Sequence, residues 1–207
     1  MRHILKQKTV FFALALTSVL HANDNDTLKQ ACKEQNATAC YRYALPMVTG
    51  ENAKVQDIAE QGIAYMREGC ALMENKACDF LGEHYFSEKR YRASMPYLEA
   101  SCERGEQSAC VAMGTIYRDG HDVRPDDVKS RIFYEKACAL KSGDACYSVG
   151  IIYRGGFGVP IDRSMEKSYY KKACDAGTKV GCERFTELDN EDKGIEKGIM
   201  DTIKSWF

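Results

Sequence analysis

Beyond Ala22 this sequence has no apolar run approaching the roughly 20 residues that a membrane-spanning helix requires. Histidine is scarce there too. Only His84 and His121 remain, so a zinc centre would have to be built almost entirely from cysteine. Nor does charge of one sign prevail: 29 Lys and Arg stand against 30 Asp and Glu, a formal net charge of −1. With no basic excess, nucleic acid is not an expected partner.

The one apolar run lies at the start. Arg2, Lys6 and Lys8 precede an apolar stretch from Val10 to Leu20, and Leu20-His21-Ala22 ends on a small residue before Asn23. Residues 1–22 therefore read as a secretory signal peptide, cut after Ala22. No cysteine sits near enough to that cut to carry a lipid anchor. Removing the leader takes three bases and no acid, which leaves a net charge of about −4. The expected mature protein is exported, periplasmic or secreted, with no membrane span.

Cysteine is abundant. Ten stand in five pairs, Cys32 and Cys40, Cys70 and Cys78, Cys102 and Cys110, Cys138 and Cys146, Cys174 and Cys182, each spaced by eight. On one continuous helix eight residues rise about 12 Å, beyond the ~7 Å between Cα atoms that a disulfide can bridge. The chain must therefore reverse inside each pair. Lys141-Ser142-Gly143-Asp144 and Asp175-Ala176-Gly177-Thr178 supply turn residues there, glycine being suited to the left-handed conformation past a helix end. Each pair is expected to staple the end of one helix to the start of the next, in an oxidising compartment that keeps the bond. Zinc spacing is usually two to four residues, so no metal and no cofactor are expected.

The segment from Ala109-Cys110 to Ala137-Cys138 returns 36 residues later as Ala145-Cys146 to Ala173-Cys174. Gly114 becomes Gly150, Tyr117 becomes Tyr153, Gly120 becomes Gly156 and Asp126 becomes Asp162. A fixed period in the thirties, with two helical patterns and a glycine turn inside it, marks an all-α solenoid of stacked helix pairs. The expected organisation is an N-terminal cap at 23–35, repeat 1 at 36–73, repeat 2 at 74–105, repeat 3 at 106–141, repeat 4 at 142–177 and C-terminal capping helices at 178–207. Repeat 1 diverges most, with Met47 where later units have Tyr and Pro46 placed to bend or end its first helix. Asp126 and Asp162 are expected to cap the helices that follow them. Glycine inside a helix costs about 1 kcal/mol against alanine, so Gly82, Gly114 and Gly150 imply close approach of a neighbouring helix.

The pattern Tyr153-x-x-Gly156-x-Gly158-Val159-x-x-Asp162 followed by Tyr170-Lys-Lys-Ala173, with cysteine pairs eight apart, closely resembles Sel1-like repeats, and specifically the Helicobacter cysteine-rich protein family. The resemblance implies an exported α/α solenoid, related to tetratricopeptide arrays, with one disulfide per repeat. It also implies two functions of different kinds. Members of that family are described as penicillin-binding proteins or weak β-lactamases, hydrolases of a cyclic amide; Sel1-like arrays more widely serve as protein-interaction adaptors.

A serine β-lactamase needs a nucleophilic serine, a lysine one turn on, and Ser-Asp-Asn and Lys-Thr-Gly elements. Ser164-x-x-Lys167 and Ser168-x-x-Lys171 fit the first element, but about one such match is expected by chance, and the other two elements are absent. No catalytic residue is defined. The leading reading is a monomeric scaffold that binds a protein, a peptide or a peptidoglycan fragment; β-lactam binding or hydrolysis is the alternative. Binding is expected on the inner surface of successive first helices, at positions 1, 5 and 8 after each second cysteine. That register nominates Arg118, Arg154, Phe86 and Tyr147, with Asp79, Glu83, Val111, Thr115 and Ile151 alongside.

Overall fold

The computed structural model describes residues 24–204, and the proposed signal peptide lies outside them. The described chain is helical throughout, with no strand among the described residues. Helix α1 covers 24–33. There follow α2 (Ala37–Val48), a 3-10 turn (Gly50–Lys54), α3 (Gln56–Ala71), α4 (Asn75–Ser87), α5 (Tyr91–Glu103), α6 (Gln107–Asp119), α7 (Asp127–Ala139), α8 (Gly143–Gly155), α9 (Arg163–Asp175) and α10 (Lys179–Lys204). No described helix is long and apolar enough to cross a membrane.

Two compact units divide the chain, one up to Leu81 and one from Gly82. In the first, α2 and α3 pack as a pair. Gly69 lies against Ala37, Cys40 and Ala77, where a Cβ would touch all three, and Thr38 donates to Glu74 across 2.7 Å. Pro46 stands inside α2, which ends two residues later at Val48.

The second unit is built from the register that repeats. Helix α6 packs on α7 and α8 on α9, while α5 meets α6, α7 meets α8, and α10 closes on α9 and α8. The glycines at position 4 of successive first helices admit the side chain opposite: Leu98 against Gly82, the Tyr134 ring against Gly114, and the Tyr170 ring against Gly150. At position 7, Tyr117 stacks on Phe133 and Tyr153 on Tyr169, with centroids 5.8 and 5.6 Å apart. Asp126 and Asp162 cap α7 and α9, accepting from Lys129 N and Met165 N at 2.9 Å each. Gly120 and Gly156 close α6 and α8 in the left-handed conformation, each with φ 70°.

All ten cysteines are paired, Cys32–Cys40, Cys70–Cys78, Cys102–Cys110, Cys138–Cys146 and Cys174–Cys182, with Cα separations from 4.3 to 4.8 Å. The chain reverses inside each pair by one motif. At the Cys138 junction Lys141 N donates to Cys138 O and Ser142 N to Ala137 O, at 2.9 and 3.0 Å. These bonds satisfy the last carbonyls of α7 and turn the chain directly into α8.

Candidate binding groove

Two clefts open between the helices of the second unit. One, of about 310 Å³, is walled by Tyr134, Ile151, Ile152 and Phe157, with Arg118 and Asp127 among its polar groups. Most of this wall is apolar, and Phe157 remains half exposed. The other, of about 330 Å³, lies beside the Cys138–Cys146 bond and is lined by Glu135, Tyr169, Lys141, Lys172 and Asp175. In it Glu135 accepts from Arg131 at 2.8 Å and from the Tyr153 and Tyr169 hydroxyls at 3.4 Å. Burial, reinforced by the Glu135 charge, pushes the Tyr169 phenol up to about 12.

Of the four residues nominated from sequence, the two arginines are exposed and the two rings are half-buried. Arg118 is locked to Asp119 through two hydrogen bonds of 2.7 and 2.9 Å, and its guanidinium stands 5.9 Å from the Tyr134 ring centre. That pairing holds the Asp119 carboxyl below its ordinary range. Arg154, one repeat later, has Gly155 in place of Asp119 and no such clamp. Phe86 meets Tyr91 edge-on at 5.4 Å, and Tyr147 leans on the Tyr170 ring at 5.3 Å. Both rings thus have packing partners inside the fold. Thr115 is also used internally, its hydroxyl 3.0 Å from that of Tyr134, whereas Ile151 at the same register lines the apolar cleft.

The cleft residues Tyr134 and Phe157 were missing from the nomination because it followed the first helices alone, and Ile152 because it falls at position 6 after Cys146 in α8, outside the nominated register. Tyr134 belongs to a second helix and Phe157 to the glycine loop. A bulky aromatic in the loop between Gly156 and Gly158, both left-handed, was the available signal.

Ser164 and Ser168 are both exposed on α9. Lys167 bonds Asp189 at 3.1 Å and Asp192 at 2.7 Å, which raises its pKa and holds the proton a general base would have to lose. Lys171 is likewise engaged, with Asp175 at 2.8 Å. The three-residue group Cys32, Cys40 and Glu68, which is close enough to hold an ion, contains a disulfide whose sulfurs are already bonded.

A stack of short helix pairs with a glycine loop, one staple per junction and a cleft between pairs defines a disulfide-stapled helical-repeat scaffold. More narrowly, residues 107–142 and 143–178 each match the Sel1 repeat. Among solved structures the chain is similar to c5321, a protective antigen of uropathogenic Escherichia coli displaying an SLR fold, at 20% identity with a TM-score of 0.61. The match covers 81% of this chain and 36% of that one. A Sel1 repeat protein from Oxalobacter formigenes is similar at 18% identity and TM-score 0.57, over 79% of this chain and 66% of that one. Helicobacter pylori cysteine rich protein B is similar at 22% identity, over 77% and 95% of the two chains, with a TM-score of 0.33. This chain thus spans about a third of the first of these proteins and just under two thirds of the second. No curated protein matches the sequence.

Proposed function

We propose that the protein is an exported binding scaffold that takes up an apolar side chain of a protein or peptide in the cleft between α6, α7 and α8. The observation that carries this reading is the cleft itself. About 310 Å³ walled by Tyr134, Ile151, Ile152 and Phe157 is the size and chemistry of a pocket for a large apolar group, with Arg118 and Asp127 to orient it. Burying such a group releases about 25 cal/mol for each Å² of apolar surface. The half-exposed Phe157 has its ring at the edge, where a ligand would cover it. Sel1 repeats elsewhere mediate protein interaction, which agrees with this use. Export is supported by the N-terminal pattern of residues 1–22 and by five disulfides that persist only in an oxidising compartment. No specific observation favours β-lactam hydrolysis, since both Ser-x-x-Lys lysines are held in ion pairs.

The test is selection of peptides from a displayed random library on the disulfide-intact chain, followed by affinity measurement on variants. Phe157→Ala is expected to weaken the selected peptides at least tenfold and Arg118→Ala by a few-fold, both without change in melting temperature. Recovery of no peptide, or of peptides that bind both variants as well as the parent, would contradict the proposal.

A further inference from the structure

The polar groups that line the cleft between α6, α7 and α8 are, with one exception, already used inside the fold. Ser130 donates to Gly114 O at 3.0 Å and Ser148 to Asp144 O at 2.9 Å. The Tyr134 hydroxyl meets that of Thr115 at 3.0 Å, and Arg118 is tied to Asp119 by two bonds, so that its charge is neutralised at its source. The exception is Asp127. It lines the cleft, it is exposed, and its carboxylate takes part in no hydrogen bond and no ion pair among the described residues. Capping does not occupy it either, since Asp126 caps α7. The bases nearby on the same helix are engaged elsewhere, Lys129 with Asp126 and Arg131 with Glu135.

An aromatic ring is brought to the same place by the glycine loop. Gly158 lies against the first turn of α7, where a Cβ would stand 3.0 Å from Asp127 Cβ and from Val128 N. That contact sets the adjacent Phe157 beside Asp127 at the cleft. Gly155 gives the ring its seat, since a Cβ there would run into the edge of Phe157. The earlier copy of the repeat has neither device. Asp119, His121 and Asp122 stand where the later copy has Gly155, Phe157 and Gly158. One repeat beyond Asp127 the place is taken by Arg163, which is bonded to Glu191 and Asp192.

A wholly apolar occupant would cover this carboxylate and leave it unpaired, at a cost of about 1–3 kcal/mol or more. A side chain with an apolar stem and a cationic tip avoids that cost. Its methylenes cover apolar wall while its charge meets an acid and an aromatic face, both of which attract a cation. We infer that the cleft receives a lysine or arginine side chain of the partner peptide, its stem against Ile151 and Ile152 and its charge at Asp127 and Phe157. The inference rests on the reading of the cleft as a peptide pocket and names what enters it.

The experiment is a double-mutant cycle on peptides selected from a displayed random library with the full, disulfide-intact chain. Each selected peptide is expected to contain one Lys or Arg whose replacement by an uncharged counterpart, norleucine or citrulline, weakens binding to the parent chain about fivefold or more. Asp127→Asn should weaken the basic peptide by a similar factor and leave the uncharged one unchanged, so that the two losses do not add. Raising the salt to 0.5 M should weaken the basic peptide on the parent chain and have little effect on the other three pairings. A merely structural role for Asp127 would weaken both peptides alike. The inference is overturned if the uncharged peptides bind the parent as well as the basic ones, or if the effects of Asp127→Asn and of the uncharged anchor simply add. If Phe157→Ala still weakens the peptides in that case, the pocket stands and its occupant is apolar. Recovery of no peptide at all would overturn the pocket and its occupant together.

Discussion

Three positions after the first cysteine of every pair the backbone turns left-handed: Gln35, Met73, Gly105, Lys141 and Gly177 have φ between 64 and 96°. Glycine enters this region freely, whereas a side chain costs about 1 kcal/mol there. Two of the five junctions have glycine and three do not. Around Gly177 a Cβ would meet nothing within 4 Å, so Gly177→Ala is expected to destabilise by about 1 kcal/mol through backbone conformation alone. Met73, 83% exposed, gives the reverse test: Met73→Gly removes a strained residue that makes little contact, and should stabilise by up to about 1 kcal/mol. Urea melts of the two variants check both signs. The sequence suggested Gly143 for the left-handed place at its junction. In the structure Lys141 occupies that place, and Gly143 opens α8, where a Cβ would run into Thr178 and the Ala173 carbonyl. Composition cannot separate these two uses of glycine, because one is set by the backbone angle and the other by what lies opposite.

Helices α9 and α10 are latched by charge. Arg163 holds Glu191 and Asp192, and Lys167 holds Asp189 and Asp192, across 2.6 to 3.3 Å with Lys193 joining at Asp189. The partners keep the Asp189 and Asp192 carboxyls below their ordinary value of 3.8. Since these pKa values are depressed in the folded chain, the latch is complete above pH ~3.8 and is lost as pH falls through the lower folded values. Exposed pairs of this kind are also screened, the Debye length falling to about 3 Å at 1 M salt. Lys167→Ala should therefore speed amide exchange in the 185–192 stretch of α10 several-fold, and 1 M salt should do the same to the parent chain. Equal exchange in all three samples would show that apolar contacts such as buried Leu188 hold the helix instead. The sequence placed capping helices at 178–207, and their apolar spacing was legible. That one unbroken helix runs from Lys179 to Lys204 was not, because its polar first half is tied down by acids on one helix and bases on another.

Across the molecule the helix pairs, their caps and the glycine-to-ring contacts at Gly114 and Gly150 were readable from the 36-residue period, since each repeat must bury the same face. The apolar cleft was only half readable. Arg118 and Ile151 fall at the nominated register, but Tyr134 and Phe157 come to it from the next helix and the loop. Five staples, each closing a loop worth about 2.5 kcal/mol in the chain-entropy model, are what turn short helices into a scaffold stiff enough to hold such groups in place. The most direct measurement of that claim is non-reducing peptide mapping of the protein recovered from its native compartment. The predicted result is five bridges, each within one pair of cysteines eight residues apart, an N-terminus at Asn23 and no free thiol. Bridges between different pairs, or a protein that accumulates with its thiols reduced, would contradict it.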